Sequence, residues 1–178
     1  MAQDAIDAVQ EYLNVPVSKC PTLDHPLAGS EGFSPDYWQS LQKLYPGPEA
    51  AARQLAQKFG TRASEVMELA KVNPQPTGPI ADGQARLRAE VLFTIRTEMA
   101  VSIEDIIARR LGIQSRRWRA AIRVAPAVAD ILASELGWPE MKRQEALVQY
   151  VSKIRGLMQE AGLDAEGVDQ ASQSSAEV

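Results

Sequence analysis

The apolar residues of the chain recur mainly at intervals of three and four, which is the period of an amphipathic helix. The most regular series lies between Gln84 and about Ala100, where one apolar side chain follows another every four residues. Its members are Leu87, Val91, Ile95 and Met99. No segment shows the alternation that is typical of a β-strand. We therefore predict an all-α fold, a compact bundle of about six to eight helices with two proline-rich loops.

Further helices are predicted where the same period is bounded by proline or a capping residue at the start and by glycine at the end. They cover residues 2–13, 34–44, 48–60, a short helix that begins at Thr61 or Ser64, 103–111, 118–136 and 139–161. Within the helix over 118–136, Pro126 predicts a kink or a later start. Residues 14–33 and 71–83 are rich in proline and glycine and are predicted to be loops.

The helical pattern divides the chain into three parts. Residues 1–33 form a lead-in helix and a proline-rich loop, residues 34–162 form the helical domain, and residues 163–178 are small, polar and acidic. We expect that last part to be a disordered tail. The lead-in helix places Ala5, Ile6, Val9 and Leu13 on one face but lacks a convincing N-cap, so it resembles the end of a preceding region.

The composition is that of an ordinary globular protein, with 178 residues, 45% of them apolar and 24% charged. The net charge of -4 argues weakly against a dedicated nucleic-acid binder. No apolar run is long enough for a membrane span, and the acidic N-terminus has no secretory signal pattern. The one cysteine excludes an internal disulfide and agrees with a reducing compartment, so we expect a cytoplasmic location.

The chemistry-bearing residues do not form a recognisable active site. The chain has no glycine-rich dinucleotide cradle, no P-loop and no G-x-S-x-G motif. Its one histidine, His25, lies close in sequence to Cys20 in a proline-rich loop, where a loop residue and an exposed imidazole are the simpler interpretation. We therefore expect no catalytic residue, no cofactor-binding residue and no metal site in this chain.

The stretch from Arg96 to Arg123 carries the strongest signals. It contains a capping box of Ser102 and Asp105, a double arginine, and a second cluster of arginines after Gly112. One interpretation is a helix-turn-helix DNA reader, with arginines placed to meet phosphates. This motif is short and degenerate, and many helix pairs match it by chance.

The other interpretation comes from several motifs in a fixed order. They are C-P-T-L-D-H-P-L-A-G at 20–29, L-Y-P at 44–46, K-F-G at 58–60, R-T-E-M-A at 96–100, D-I-I-A-R-R at 105–110 and E-L-G-W at 135–138. Over about residues 1–155 the chain resembles the C-terminal helical domain of FAD-dependent, quinone-linked glycerol-3-phosphate dehydrogenases. The arginine cluster Arg116, Arg117, Arg119 and Arg123 has no counterpart in that pattern.

The resemblance implies a parent enzyme that oxidises glycerol 3-phosphate to dihydroxyacetone phosphate and passes electrons through FAD to quinone. The parent would be peripheral at the inner membrane. Its flavin and substrate sites would lie outside this chain, so the expected partner is the FAD-binding catalytic domain, with no nucleic acid. Residues 1–33 would then be the remnant of the junction with that domain. The alternatives are a DNA-binding regulator and a free-standing adaptor that binds another protein.

A charge network is expected within the central stretch. Its members are Arg96, Glu98, Asp105, Arg109 and Arg110. The two carboxylates are the natural partners of Arg109 and Arg110, since a guanidinium that pairs with a carboxylate through two hydrogen bonds fixes the geometry of both. The network either locks neighbouring helices together or presents an arginine to a docked domain.

Overall fold

The structure is a computed structural model that describes residues 2–72, 78–82 and 85–163. Seven α-helices occur in these ranges: α1 Ala2–Tyr12, α2 Tyr37–Leu44, α3 Glu49–Phe59, α4 Ala63–Val72, α5 Arg88–Thr97, α6 Trp118–Leu136 and α7 Glu140–Glu160. Short 3-10 turns cover Pro21–Leu23 and Gly60–Arg62, and a π-helix covers Asp105–Arg110. The predicted all-α class is confirmed. The predicted tail after Leu163 and residues 73–77 and 83 of the second proline-rich loop lie outside the described residues, and the first two residues of that loop belong to α4.

Two apolar cores lie on either side of α5. The larger one is centred on α6, where Val124, Val128 and Leu132 are completely buried, and α7 and the π-helix pack around it. The smaller one joins α2, α3 and α4 and ends on the edge-to-face ring pair of Phe59 and Phe93. Helix α5 contributes to both cores, so six consecutive residues from Ala89 to Thr94 are buried.

The end of α5 differs from the predicted one. The helix stops at Thr97, and Met99 adopts a left-handed backbone with a φ of 57°. The Met99 side chain is 87% exposed, so its predicted place in the buried series is wrong. The backbone N–H groups of Glu98 and Ala100 both donate to the Thr94 carbonyl, at 3.1 and 3.2 Å. The helix therefore ends in a turn before Met99, the fourth member of the apolar series.

The predicted helix over 103–111 forms mainly as a π-helix. Its capping box is present, with the Asp105 N–H donating to Ser102 Oγ at 3.1 Å and the Ser102 N–H donating to Asp105 Oδ2 at 3.1 Å. The wider ladder shows in the bond from the Leu111 N–H to the Ile106 carbonyl at 2.7 Å. A π-helix is rare and is often found near functional positions.

Two other boundaries differ from the sequence expectation. Helix α2 begins at Tyr37 rather than at Ser34, because Pro35 and Asp36 form a turn that closes with a bond from the Tyr37 N–H to the Ser34 carbonyl. Helix α6 continues through Pro126, so the late start is wrong. Pro126 is exposed, and its ring faces outward from the core.

Candidate docking surface

The reactive side chains near the N-terminus do not come together. Cys20 Sγ lies 2.9 Å from Thr22 Oγ1, and this hydrogen bond lowers the pKa of the Cys20 thiol. In the described part of the chain, Cys20 and His25 share no hydrogen bond. Those same residues contain no group of three or more histidine, cysteine or acidic side chains that could hold a metal ion.

The most unusual surface is on the lead-in helix. Helix α1 is amphipathic, yet none of its residues is buried. Ile6, Val9 and Leu13 are 59%, 52% and 62% exposed. We call these three side chains, together with Tyr12, Val15 and Val17, the lead-in face. Large exposed apolar patches are rare on isolated soluble domains, and this makes the lead-in face a candidate interaction surface.

Within the described residues, helix α1 is hydrogen-bonded to the segment that follows it. Gln10 is the main link. Its side-chain Nε2 donates to Ser18 Oγ at 3.2 Å, and its backbone carbonyl accepts the Val15 N–H at 3.0 Å. A cavity of about 300 Å³ separates α1 from Cys20 and its neighbours. Ile6 lines this cavity, and the side chains of Ile6, Val9 and Leu13 are each more than half exposed.

The lead-in segment joins the bundle where two glycines cross. The Thr61 N–H donates to the Gly29 carbonyl at 2.9 Å. A Cβ at Gly29 would lie 2.2 Å from the Phe59 carbonyl oxygen, and a Cβ at Gly60 would lie 2.0 Å from the Gly29 carbonyl oxygen. Both glycines also have positive φ, so this backbone contact excludes any other residue at either position.

A second exposed apolar feature lies beside the arginine motif. Met99 and Val101 are both exposed and project next to Glu98 and Arg110. We call Met99 and Val101 the Met99 knuckle. A methionine held at positive φ costs free energy, and strain of this kind concentrates at functional positions.

The double arginine pairs with the two carboxylates that the sequence nominated. Arg110 Nε lies 3.1 Å from Glu98 Oε2, and Arg110 Nη2 donates to the Glu98 carbonyl at 2.7 Å. Arg109 Nη1 lies 2.6 Å from Asp105 Oδ1. Partial burial opposes ionisation of Asp105, but hydrogen bonds from Ser102, Val101 and Arg109 outweigh it and lower its pKa.

Arg96 belongs to a separate pair. Its guanidinium makes two hydrogen bonds to Glu135, at 2.7 and 2.8 Å, and so joins α5 to α6. Glu104, which the sequence did not single out, accepts from Lys153 at 2.8 Å and lies 3.7 Å from Arg109. The five residues of the predicted charge network therefore belong to separate ion pairs and do not form one connected cluster.

The Arg96–Glu135 pair predicts a pH dependence. Hydrogen bonds from Arg96 hold the pKa of Glu135 below its ordinary value of 4.5. A carboxylate with a lowered folded-state pKa stabilises the fold above its unfolded pKa, and this contribution is lost as pH falls through the folded pKa. We expect Glu135→Gln to cost up to about 1 kcal/mol at neutral pH. The cost should shrink progressively below pH 4.5 in denaturant titrations, and a cost independent of pH would contradict the pairing.

A buried charge cluster escaped the sequence reasoning. Glu90 is fully buried and accepts from the Leu87 N–H at 2.9 Å and from Gln54 and Arg86, both at 3.1 Å. Lys58 Nζ lies 3.5 Å from Glu90 Oε2. Burial lowers the pKa of Lys58, although the negative charge of Glu90 acts in the opposite direction. The motif Lys58-Phe59-Gly60 could have indicated this cluster, because it places a lysine next to buried residues in the last turn of α3.

The exposed face of α6 carries an acidic side chain as well as arginines. The recognition helix would be α6, whose exposed face runs from Arg119 and Arg123 to Pro126 and Asp130. Asp130 Oδ1 lies 2.9 Å from Arg143 Nη1, and a carboxylate on the face that enters a groove repels phosphate. The preceding helix is the π-helix, tied down by Arg109 and Arg110.

Comparison with known families agrees with the motifs. Residues 20–143 match the family described as the C-terminal domain of alpha-glycerophosphate oxidase. This chain belongs to that family. The matched range contains the glycine crossing, the Met99 knuckle and every arginine–carboxylate pair described above, whereas α1 precedes it.

Several glycerol-3-phosphate dehydrogenases are relatives of the chain. The mitochondrial enzyme of Arabidopsis thaliana is 32% identical over 163 residues, which is 83% of this chain and 26% of the relative. Glycerol-3-phosphate dehydrogenase 2 of Mycobacterium tuberculosis is 28% identical over 159 residues, or 86% and 27%. The mitochondrial enzyme of Mus musculus is 28% identical over 151 residues, or 83% and 21%. The chain thus spans about a quarter of the length of these relatives.

Proposed function

We propose that this chain is the accessory C-terminal domain of an FAD-dependent glycerol-3-phosphate dehydrogenase and that it docks on the FAD-binding catalytic domain through the lead-in face. The uncovered apolar side of α1 carries the proposal. Family membership and the quarter-length match support it, since the relatives have about three quarters of their length beyond the matched region.

The parent enzyme oxidises glycerol 3-phosphate to dihydroxyacetone phosphate, with FAD as the electron acceptor and quinone as the next carrier. This domain supplies no reacting group and does not turn over substrate alone. The parent is peripheral at a membrane, and two of the relatives are named as mitochondrial. No helix in the described ranges combines the length and apolar character needed to cross a bilayer.

The arginine–carboxylate pairs have a positioning role in this proposal. Arg110 holds the Glu98 backbone and side chain together and so fixes the turn that presents Met99. Arg109, Glu104 and Lys153 fasten the π-helix to α7. Through these contacts the network keeps the Met99 knuckle in one geometry.

The docking role can be tested with the catalytic part of the Mycobacterium tuberculosis relative, from which the matched C-terminal region has been removed. Titration calorimetry should show that the chain binds this part. The double variant Ile6→Asp/Val9→Asp should bind at least about tenfold more weakly, because two charges would be buried in an apolar interface. The purified chain should show no flavin absorbance in the visible range.

The matched control is Met141→Asp/Val148→Asp, which introduces two charges at exposed apolar positions of α7. It should bind like the unmodified chain. Equal binding by the double variant, or no binding by the unmodified chain, would refute docking through the lead-in face. Duplex DNA binding that weakens with salt would instead support the regulator. Capture of an unrelated protein through the surface around Arg109 would support the adaptor.

A further inference from the structure

Four arginines line a second surface, at the start of α6. They border a cavity of about 430 Å³, together with Trp118 and Leu163. These arginines are all exposed, and they are Arg116, Arg117, Arg119 and Arg123. The described residues that line this cavity include no carboxylate. This concentration of positive charge contrasts with the net charge of -4 of the whole chain.

The position of these arginines is electrostatically unfavourable. The N-terminus of a helix carries a partial positive charge that favours anions, and the first turn of α6 has no acidic residue. Arg117 is the N-cap residue and Arg119 lies in that first turn. Arg116, Arg117 and Arg123 take part in no ion pair within the described residues. An anion in the cavity would offset both the mutual repulsion and the helix dipole.

The sequence provides such an anion next to the cavity. Leu163 lines the cavity, and residues 164–178 follow it directly. That segment has no lysine or arginine and carries the carboxylates of Asp164, Glu166, Asp169 and Glu177. The first three lie within six residues of Leu163, and a chain of that length spans at most roughly 20 Å, so the arginines that share the cavity with Leu163 are within its reach.

We propose that the acidic segment 164–178 docks into the arginine cavity of its own chain. Tethering makes the contact intramolecular, with an effective concentration on the order of millimolar. The segment neutralises the arginines and competes with external polyanions for them. The cluster thus has an internal ligand and does not require a nucleic acid.

Paramagnetic NMR tests the contact in the full chain. The native thiol is removed by Cys20→Ser, and Ser172→Cys carries a nitroxide label. At low salt the amide signals of residues 115–120 should broaden. The signals should recover at about 0.5 M salt, where the Debye length falls to a few ångströms. They should also recover when Asp164→Asn, Glu166→Gln and Asp169→Asn remove the charges.

Two triple variants separate the arginine cavity from general charge attraction. Arg116→Ala/Arg117→Ala/Arg123→Ala should abolish the broadening. The control Lys19→Ala/Lys43→Ala/Lys142→Ala removes the same charge from exposed positions elsewhere and should leave it unchanged. Absence of broadening in the labelled chain, or its persistence in the arginine variant, would overturn the proposal.

A competition measurement provides a second readout. A short heparin fragment should bind at least about threefold more tightly to the chain with the three neutralised tail residues than to the unmodified chain, since the internal competitor is weakened. Equal heparin affinity for the two chains would show that the cavity takes external polyanions without competition. That result would also overturn the proposal.

Discussion

Replacing Gly29 or Gly60 by alanine should be the most damaging single change in this fold. Each new Cβ would lie within 2.2 Å of a backbone carbonyl oxygen, which no side-chain movement can relieve. Each position also has a positive φ, where an L-residue is strained. We expect a loss of roughly 2–4 kcal/mol in the free energy of unfolding, measured by denaturant titration.

Two alanine variants serve as controls for that loss. Gly32 also has positive φ but has no atom within 4 Å of its would-be Cβ, so Gly32→Ala isolates backbone strain and should cost about 1–2 kcal/mol. Gly156 lies inside α7 with open space around it, and Gly156→Ala should stabilise by up to about 1 kcal/mol. If Gly29→Ala costs no more than Gly32→Ala, the close backbone crossing is not a real constraint.

Loss of the Glu90 carboxylate should be comparably severe. Glu90→Ala would leave Lys58 and Arg86 largely buried with no anion, and would free the Leu87 N–H and the Gln54 amide. Removing one partner of a buried ion pair typically costs about 3–5 kcal/mol. We expect a loss near the lower end, about 3 kcal/mol, because the Arg86 side chain retains some contact with solvent, although Lys58 Nζ does not.

A double variant separates charge from packing at this site. Glu90→Leu/Lys58→Met removes both the carboxylate and the most buried cation, and it should recover at least about half of the loss seen in Glu90→Ala. Circular dichroism establishes that each variant is folded before its stability is compared. Equal losses in the single and the double variant would contradict the unpaired Lys58 charge as the main cause, and would point to the freed Leu87 N–H, the Gln54 amide and Arg86.

Much of the fold could be predicted from local patterns. The period of the apolar residues located α3, α6 and α7 within a few residues, because prolines and glycines bound them. The same period could not locate the end of α5. Nothing in Leu87, Val91 and Ile95 reveals that the next position is exposed, since the turn at Met99 depends on how Glu98 meets Arg110 in three dimensions.

The candidate site was only partly accessible to sequence reasoning. Pairing of Glu98 and Asp105 with the double arginine could be predicted, since these residues lie close along the chain. The partner of Arg96 could not, because Glu135 is 39 residues away. The Gly29–Gly60 crossing could not be predicted, although each glycine ends a recognisable motif, at 20–29 and at 58–60. Contact between two backbones produces no periodic pattern in the sequence.

Helix α5 has a consequence for how the domain responds to perturbation. Its opposite sides are shared by two cores, so neither core can open without exposing apolar surface that the other still needs. The N-terminal and C-terminal halves are therefore coupled thermodynamically, although few side chains touch both. A disturbance at the lead-in junction reaches α3 through Gly60. It then affects α6 as well, because α5 packs against both apolar cores.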